Sequence, residues 1–111
     1  MSFFTIFVPD GLSERDYRRA LKSGPTFVSS RRVNHRELLA AAGFSSVEEI
    51  DLTAEFAATT RGWLEGRARY RAELVGAEGA PAFEERQADS TAQLAAIEAG
   101  LLRRGLFVCE L

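Results

Sequence analysis

Leu101-Leu102-Arg103-Arg104-Gly105-Leu106-Phe107-Val108-Cys109-Glu110-Leu111 is the stretch on which the fold turns. A helix is expected to reach Arg103 and Arg104, whose charges suit its negative end, and to stop at Gly105, leaving the chain to finish as a strand. Leu106, Phe107, Val108, Cys109 and Leu111 offer almost no polar face. Such a strand is expected to have neighbours on both edges and cover on both sides. The rest of the chain must then be built around its own C-terminus.

Working outward, Phe3, Phe4, Ile6, Phe7 and Val8 put bulky β-formers on both faces of an opening strand, which Pro9-Asp10-Gly11 ends. Ser13 with Asp16 three residues later predicts a capped helix over 14–23, closed by a left-handed Gly24 and by Pro25. Residues 26–33 lack periodicity and read as loop. Asn34 with Glu37 opens a second helix to Ala42, and Gly43-Phe44 predicts a Schellman ending with Phe44 folded back on Leu39. The polar stretch Ser46 to Leu52 reads as an edge strand.

Thr53 is the expected N-cap of one long helix over 54–75, with Phe56, Thr60, Trp63, Arg67, Tyr70 and Leu74 inward. Ala54, Ala58, Gly62 and Gly66 fall four apart and make a smooth side for another helix, or else mark a local break. Residues 76–79 read as a surface loop. Pro81 opens a last helix whose seam is Phe83, Gln87, Ser90, Leu94, Ile97 and Leu101. Three strands and four helices in this order predict an α/β chain, one domain over 1–111, with the final strand central and antiparallel.

Composition narrows the function classes. With 14 basic and 16 acidic residues interspersed, a net charge of -2 and 46% hydrophobic residues, the chain has neither a nucleic-acid footprint nor a basic membrane patch. The opening apolar run is too short to span a bilayer and lacks a basic leader region. A cytoplasmic location is the expectation. The single Cys109 reads as a small buried hydrophobe, and one histidine cannot build an imidazole cluster for a metal.

The pieces Leu38-Leu39-Ala40-Ala41-Ala42-Gly43-Phe44, Val47-Glu48-Glu49-Ile50-Asp51-Leu52-Thr53 and Gly100 through Val108, in that order, resemble the C-terminal half of class I S-adenosylmethionine-dependent methyltransferases. The resemblance implies a partial Rossmann-like sheet in which the strand through Phe3 to Val8 is the family's fifth, Ser46 to Leu52 its sixth, and the closing strand the seventh, inserted between them. The front half is missing, including the glycine-rich loop and the ribose-binding acidic residue. This implies no cofactor bound by the chain alone, and S-adenosylmethionine only where a partner chain supplies the site. Methyltransferase activity is expected only on that condition. The strand Phe3 to Val8 is left without its usual neighbour, which implies a homodimer or a partner chain paired along it.

Candidate substrate contacts are Asp10, Arg31, His35, Trp63 and Tyr70. Asp10 follows the carboxyl end of the first strand, where open α/β sheets present ligands. Arg31 lies in an arginine-rich stretch suited to an anionic substrate, with a solvated loop as the competing reading. His35 reads either as a solvated residue in a helix's first turn or as an acid-base contact. Trp63 and Tyr70 would line an apolar cavity, against the alternative that they simply pack in the core. The expected role is a methyltransferase-like fragment giving substrate-side and interface surface to an oligomer; the alternative is a non-catalytic dimeric binding module.

Overall fold

A computed structural model describes residues 1–24 and 34–111. The described elements run β1 (Ser2–Phe7), α1 (Glu14–Ser23), α2 (His35–Ala41), β2 (Ser46–Asp51), α3 (Thr53–Arg69), α4 (Arg71–Glu78), α5 (Ala80–Glu98) and β3 (Arg103–Glu110). The sheet order is β1-β3-β2 with both pairings antiparallel, so the closing strand is central as expected. Phe107 lies opposite Phe3 on one side and Glu49 on the other. The expected loop over 26–33 falls outside the described residues.

Local chemistry sets most of the boundaries. Ser13 Oγ accepts from the Asp16 N–H at 3.2 Å, and Asn34 Oδ1 from the Glu37 N–H at 2.8 Å. Gly43 takes φ +104°, the Phe44 N–H donates to the Leu39 carbonyl at 3.2 Å and the Gly43 N–H to that of Ala40 at 3.1 Å, completing the Schellman motif. Gly24 is extended rather than left-handed, since its N–H reaches the Ala20 carbonyl without a reversal.

Two expectations along the helices need correction. The last helix stops at Gly100, φ +77°, where the Leu101 N–H bonds the Ala96 carbonyl and the Gly100 N–H that of Ile97. Stopping there lets Leu101 and Leu102 drop into the core. Arg103 and Arg104 consequently belong to β3. Gly105 lies within that strand, where an added Cβ would sit 3.1 Å from the Phe107 ring. The long helix is likewise divided at Tyr70, and α4 continues through the residues expected to form a loop until Gly79 turns at φ +90°. That division makes five helices among the described residues. Neither Gly62 nor Gly66 causes the break, since both lie inside α3.

The core gathers Val8, Ala20, Phe56, Ala96, Ile97, Leu101 and Leu102, joining α1, α3 and α5 over one end of the sheet. Phe83, Phe107 and Leu102 are among the largest fully buried side chains of the described residues, each contributing about 2 kcal/mol through removal from water. Cys109 is buried, as the sequence implies. Cover over β3 is uneven: Gly105, Phe107 and Cys109 are buried, while Arg104, Leu106 and Val108 on the opposite face are half-buried. The cross-strand row Phe4, Leu106, Ile50 lies beyond the reach of that helical core, leaving Phe4 58% and Ile50 40% exposed. No described helix is long and apolar enough to cross a membrane.

Candidate functional site

The four sequence candidates among the described residues, Asp10, His35, Trp63 and Tyr70, do not converge. At the end of β1, Asp10 lines an open cavity of about 420 Å³ with Asp51, Thr53 and Arg103, and a smaller one of about 170 Å³ with Asn34, Arg36, Glu49 and Arg103. This end of the sheet carries charges of both signs. The pair Arg103–Asp51, at 3.1 Å, links β3 to β2. Thr53 Oγ1 donates to Asp51 and accepts from the Arg104 N–H at 3.3 Å. Asp51 also accepts from the Thr53 N–H at 3.0 Å, satisfying the first N–H of α3, whose N-cap is Leu52 rather than the expected Thr53 and has no side-chain cap bond. The Thr53 hydroxyl, with Arg103 adding its charge, holds the Asp51 carboxyl below the usual carboxylate range.

His35 does not line these cavities. It opens α2 and packs on the sheet, with ring centroids 5.2 Å from Phe7 and 5.1 Å from Phe107. Burial pulls its pKa below the ordinary value of 6.5, against the opposing attraction of Glu49. The half-buried imidazole therefore serves as part of the sheet's cover, which corrects the reading of a solvated residue in a first turn. Arg36 beside it donates to the Val47 carbonyl at 3.1 Å, fastening α2 to β2. Arg31 lies outside the described residues.

Trp63 and Tyr70 do share one site, though not the one implied by the inward stripe. The buried side of α3 carries Phe56 and Thr60, continuing through half-buried Leu64 and Arg67. Trp63 and Tyr70 are 65% and 56% exposed. They wall an apolar groove of about 490 Å³ floored by Gly62 and Gly66 and closed by Thr59 and Leu74. A Cβ added at either glycine meets nothing within 4 Å, so no described helix uses the smooth side.

Behind the groove, a polar cluster missed by sequence reasoning joins the three helices. Arg67 donates to both carboxylate oxygens of Glu78, at 3.1 and 2.7 Å, and to Gln87 at 3.2 Å. Arg86 binds Glu78 at 2.7 Å. The guanidiniums of Arg67 and Arg71 lie over the Phe83 ring at 5.2 and 4.8 Å from its centroid. The signal was present: Arg67 and Gln87 are long polar side chains within the inward stripes of the two helices.

No protein-family model matches the sequence, and no curated protein does. Among solved structures with a matching fold is Haemonchus contortus phosphoethanolamine N-methyltransferase 2, in complex with phosphomonomethylethanolamine and S-adenosylhomocysteine. The match has a TM-score of 0.75 at 12% identity and covers 97% of this chain but 25% of that one. The chain therefore has an α/β fold similar to part of a methyltransferase and spans about a quarter of that structure's length.

Proposed function

We propose that this chain is a methyltransferase-like C-terminal piece of the class I type, not catalytic alone, that gives substrate-side and interface surface to an assembly in which a partner chain holds S-adenosylmethionine. The free edge of β1 carries the proposal. The Met1 N-terminus and carbonyl bond to the Cys109 carbonyl and N–H at 2.9 and 2.8 Å. Odd-numbered residues of β1 thus exchange hydrogen bonds with β3, and the backbone groups of Ser2, Phe4 and Ile6 point to the other side. Among the described residues no strand lies there.

The two sheet edges differ in a telling way. β2 carries Glu48, Glu49 and Asp51, charges that discourage pairing. β1 reads Ser-Phe-Phe-Thr-Ile-Phe with no charge and no proline. An uncharged edge beside an exposed Phe4 is a template for an added strand. The mixed-charge cavities holding Asp10 adjoin the end of the same strand, so a partner seated on β1 would stand over them. A cytoplasmic location accompanies this reading, supported by a lone free Cys109.

Calorimetric titration of S-adenosylmethionine into the isolated chain is the direct test. No saturable heat is expected; tight one-to-one binding would refute the split-site reading. The edge itself is tested with Phe4→Pro, which removes an outward N–H and spares the bonds to β3. Co-expressed with a chain carrying the cofactor-binding half, the parent should co-purify and Phe4→Pro should not. A β1-to-β1 pair of this chain, abolished by the same substitution, would instead establish the dimeric module.

A further inference from the structure

We infer, resting on the β1 edge proposed above as the docking site, that the strand it receives belongs to a separate chain and carries an aspartate or glutamate that pairs with Arg104. The pair would form on the sheet face that Arg104 shares with Phe4 and Ile6.

Two described arginines are half-buried, Arg67 and Arg104. Arg67 is held by both carboxylate oxygens of Glu78. The Arg104 guanidinium has no such partner among the described residues; it lies over the Phe4 ring, 5.2 Å from the centroid. Residues 25–33, outside the described set, contain no aspartate or glutamate.

Register directs this charge to the free edge. Arg104 stands opposite Ile6 and Phe4 opposite Leu106, so the arginine leans across β1 to rest over Phe4. With Phe4, Thr5 and Ile6 it lines an open cavity of about 400 Å³. Thr5 alternates to the other face, so a cavity bounded by all three residues lies beside the strand. The Thr5 hydroxyl donates to the outward-facing Ile6 carbonyl at 3.4 Å. A further strand would run about 4.8 Å beyond β1. Its residues opposite Phe4 and Ile6 would share their face whichever way it runs, which puts a carboxylate there within reach of the guanidinium.

Desolvation makes the acid necessary. A strand laid on β1 removes water from a guanidinium that is already half-buried, and burying an unpaired charge is costly. An uncharged strand is therefore disfavoured and a basic one more so. β1 of a second copy, Ser-Phe-Phe-Thr-Ile-Phe, brings no carboxylate. A β1-to-β1 pair would enclose two unpaired guanidiniums, so charge favours a separate chain as the occupant.

Blocked heptapeptides of alternating threonine and isoleucine, with glutamate, glutamine or lysine at the centre of the isoleucine face, test this. They are titrated into the isotope-labelled full chain and followed by NMR at the amides of Ser2, Phe4 and Ile6. The glutamate peptide should bind at least about threefold more tightly than the glutamine peptide, and the lysine peptide most weakly. Arg104→Glu, folded by circular dichroism, should reverse that order, which loss of packing on Phe4 would not do. Phe4→Pro should abolish binding of all three. Equal affinities, or a glutamate preference that persists in Arg104→Glu, overturn the inference and leave the β1 reading standing. Peptides that bind Phe4→Pro as well as the parent, or that do not bind the parent, overturn both. Self-association of the parent, lost in Glu48→Gln as well as in Arg104→Glu, would seat the β2 edge of a second copy on β1 and overturn the separate chain as occupant.

Discussion

Arg67 grips both carboxylate oxygens of Glu78 across the division between α3 and α4, at 3.1 and 2.7 Å, while its guanidinium covers the ring of Phe83. One side chain thus ties α4 back onto α3 and roofs the buried aromatic of α5. Phe83→Ala should cost about 3–5 kcal/mol in urea unfolding, because it empties the site beneath the guanidiniums. Arg67→Met should lower the melting temperature and make the division at Tyr70 more susceptible to proteolysis. Unchanged stability in both variants would show that the cluster is not a structural hub.

The glycines should separate into two classes. Gly62→Ala and Gly66→Ala should each stabilise the monomer by up to about 1 kcal/mol, since both lie inside a helix with open space at the added methyl. Gly105→Ala should destabilise it, as the methyl would come within 3.1 Å of the Phe107 ring and 3.4 Å of Phe7. Chemical denaturation at low concentration distinguishes them, and a stabilising Gly105→Ala would contradict the packing described here.

His35 should make stability fall as pH drops below about 6.5. Its folded pKa is depressed, so between that value and the ordinary 6.5 the unfolded chain binds more proton. The contribution is complete above pH 6.5 and disappears as pH falls toward the folded value. His35→Phe should remove this slope while keeping the contacts to Phe7 and Phe107. Melting temperatures from pH 7.5 to 5 check it; parallel curves for parent and variant would reject the assignment.

Asp51→Ala should cost about 1 kcal/mol through loss of the bonds it accepts from the Thr53 N–H and hydroxyl at the start of α3. Exposed as it is, its ion pair with Arg103 should add little. A double-mutant cycle with Arg103→Ala isolates the pair, and a large coupling energy would assign the stabilisation to charge. The Asp51 carboxyl also titrates low, so its contribution should persist above pH 3.8 and disappear as pH falls through the folded value.

Element identity was legible where chemistry is local. Ser13, Asn34 and Gly43 impose their caps through atoms a few residues away. The two-faced apolar run Leu106 to Val108 similarly required strands on both its edges, and the order β1-β3-β2 supplies them. The charges of β2 already marked it as an edge.

What the sequence alone determined is therefore the three strands, the starts of the first two helices, the central place of the last strand and the uncharged character of the first. Only tertiary structure decided between Gly100 and Gly105 as the end of α5, because both can follow a helix and burial of Leu101 and Leu102 favours the earlier stop. Tertiary packing likewise turned Trp63 and Tyr70 outward: the inner face of α3 keeps Phe56, Thr60 and Arg67 of the stripe that periodicity suggests and takes Leu64 in place of Trp63. Helical periodicity specifies that a face exists, whereas the angle at which a neighbouring helix arrives selects which residues lie beneath it.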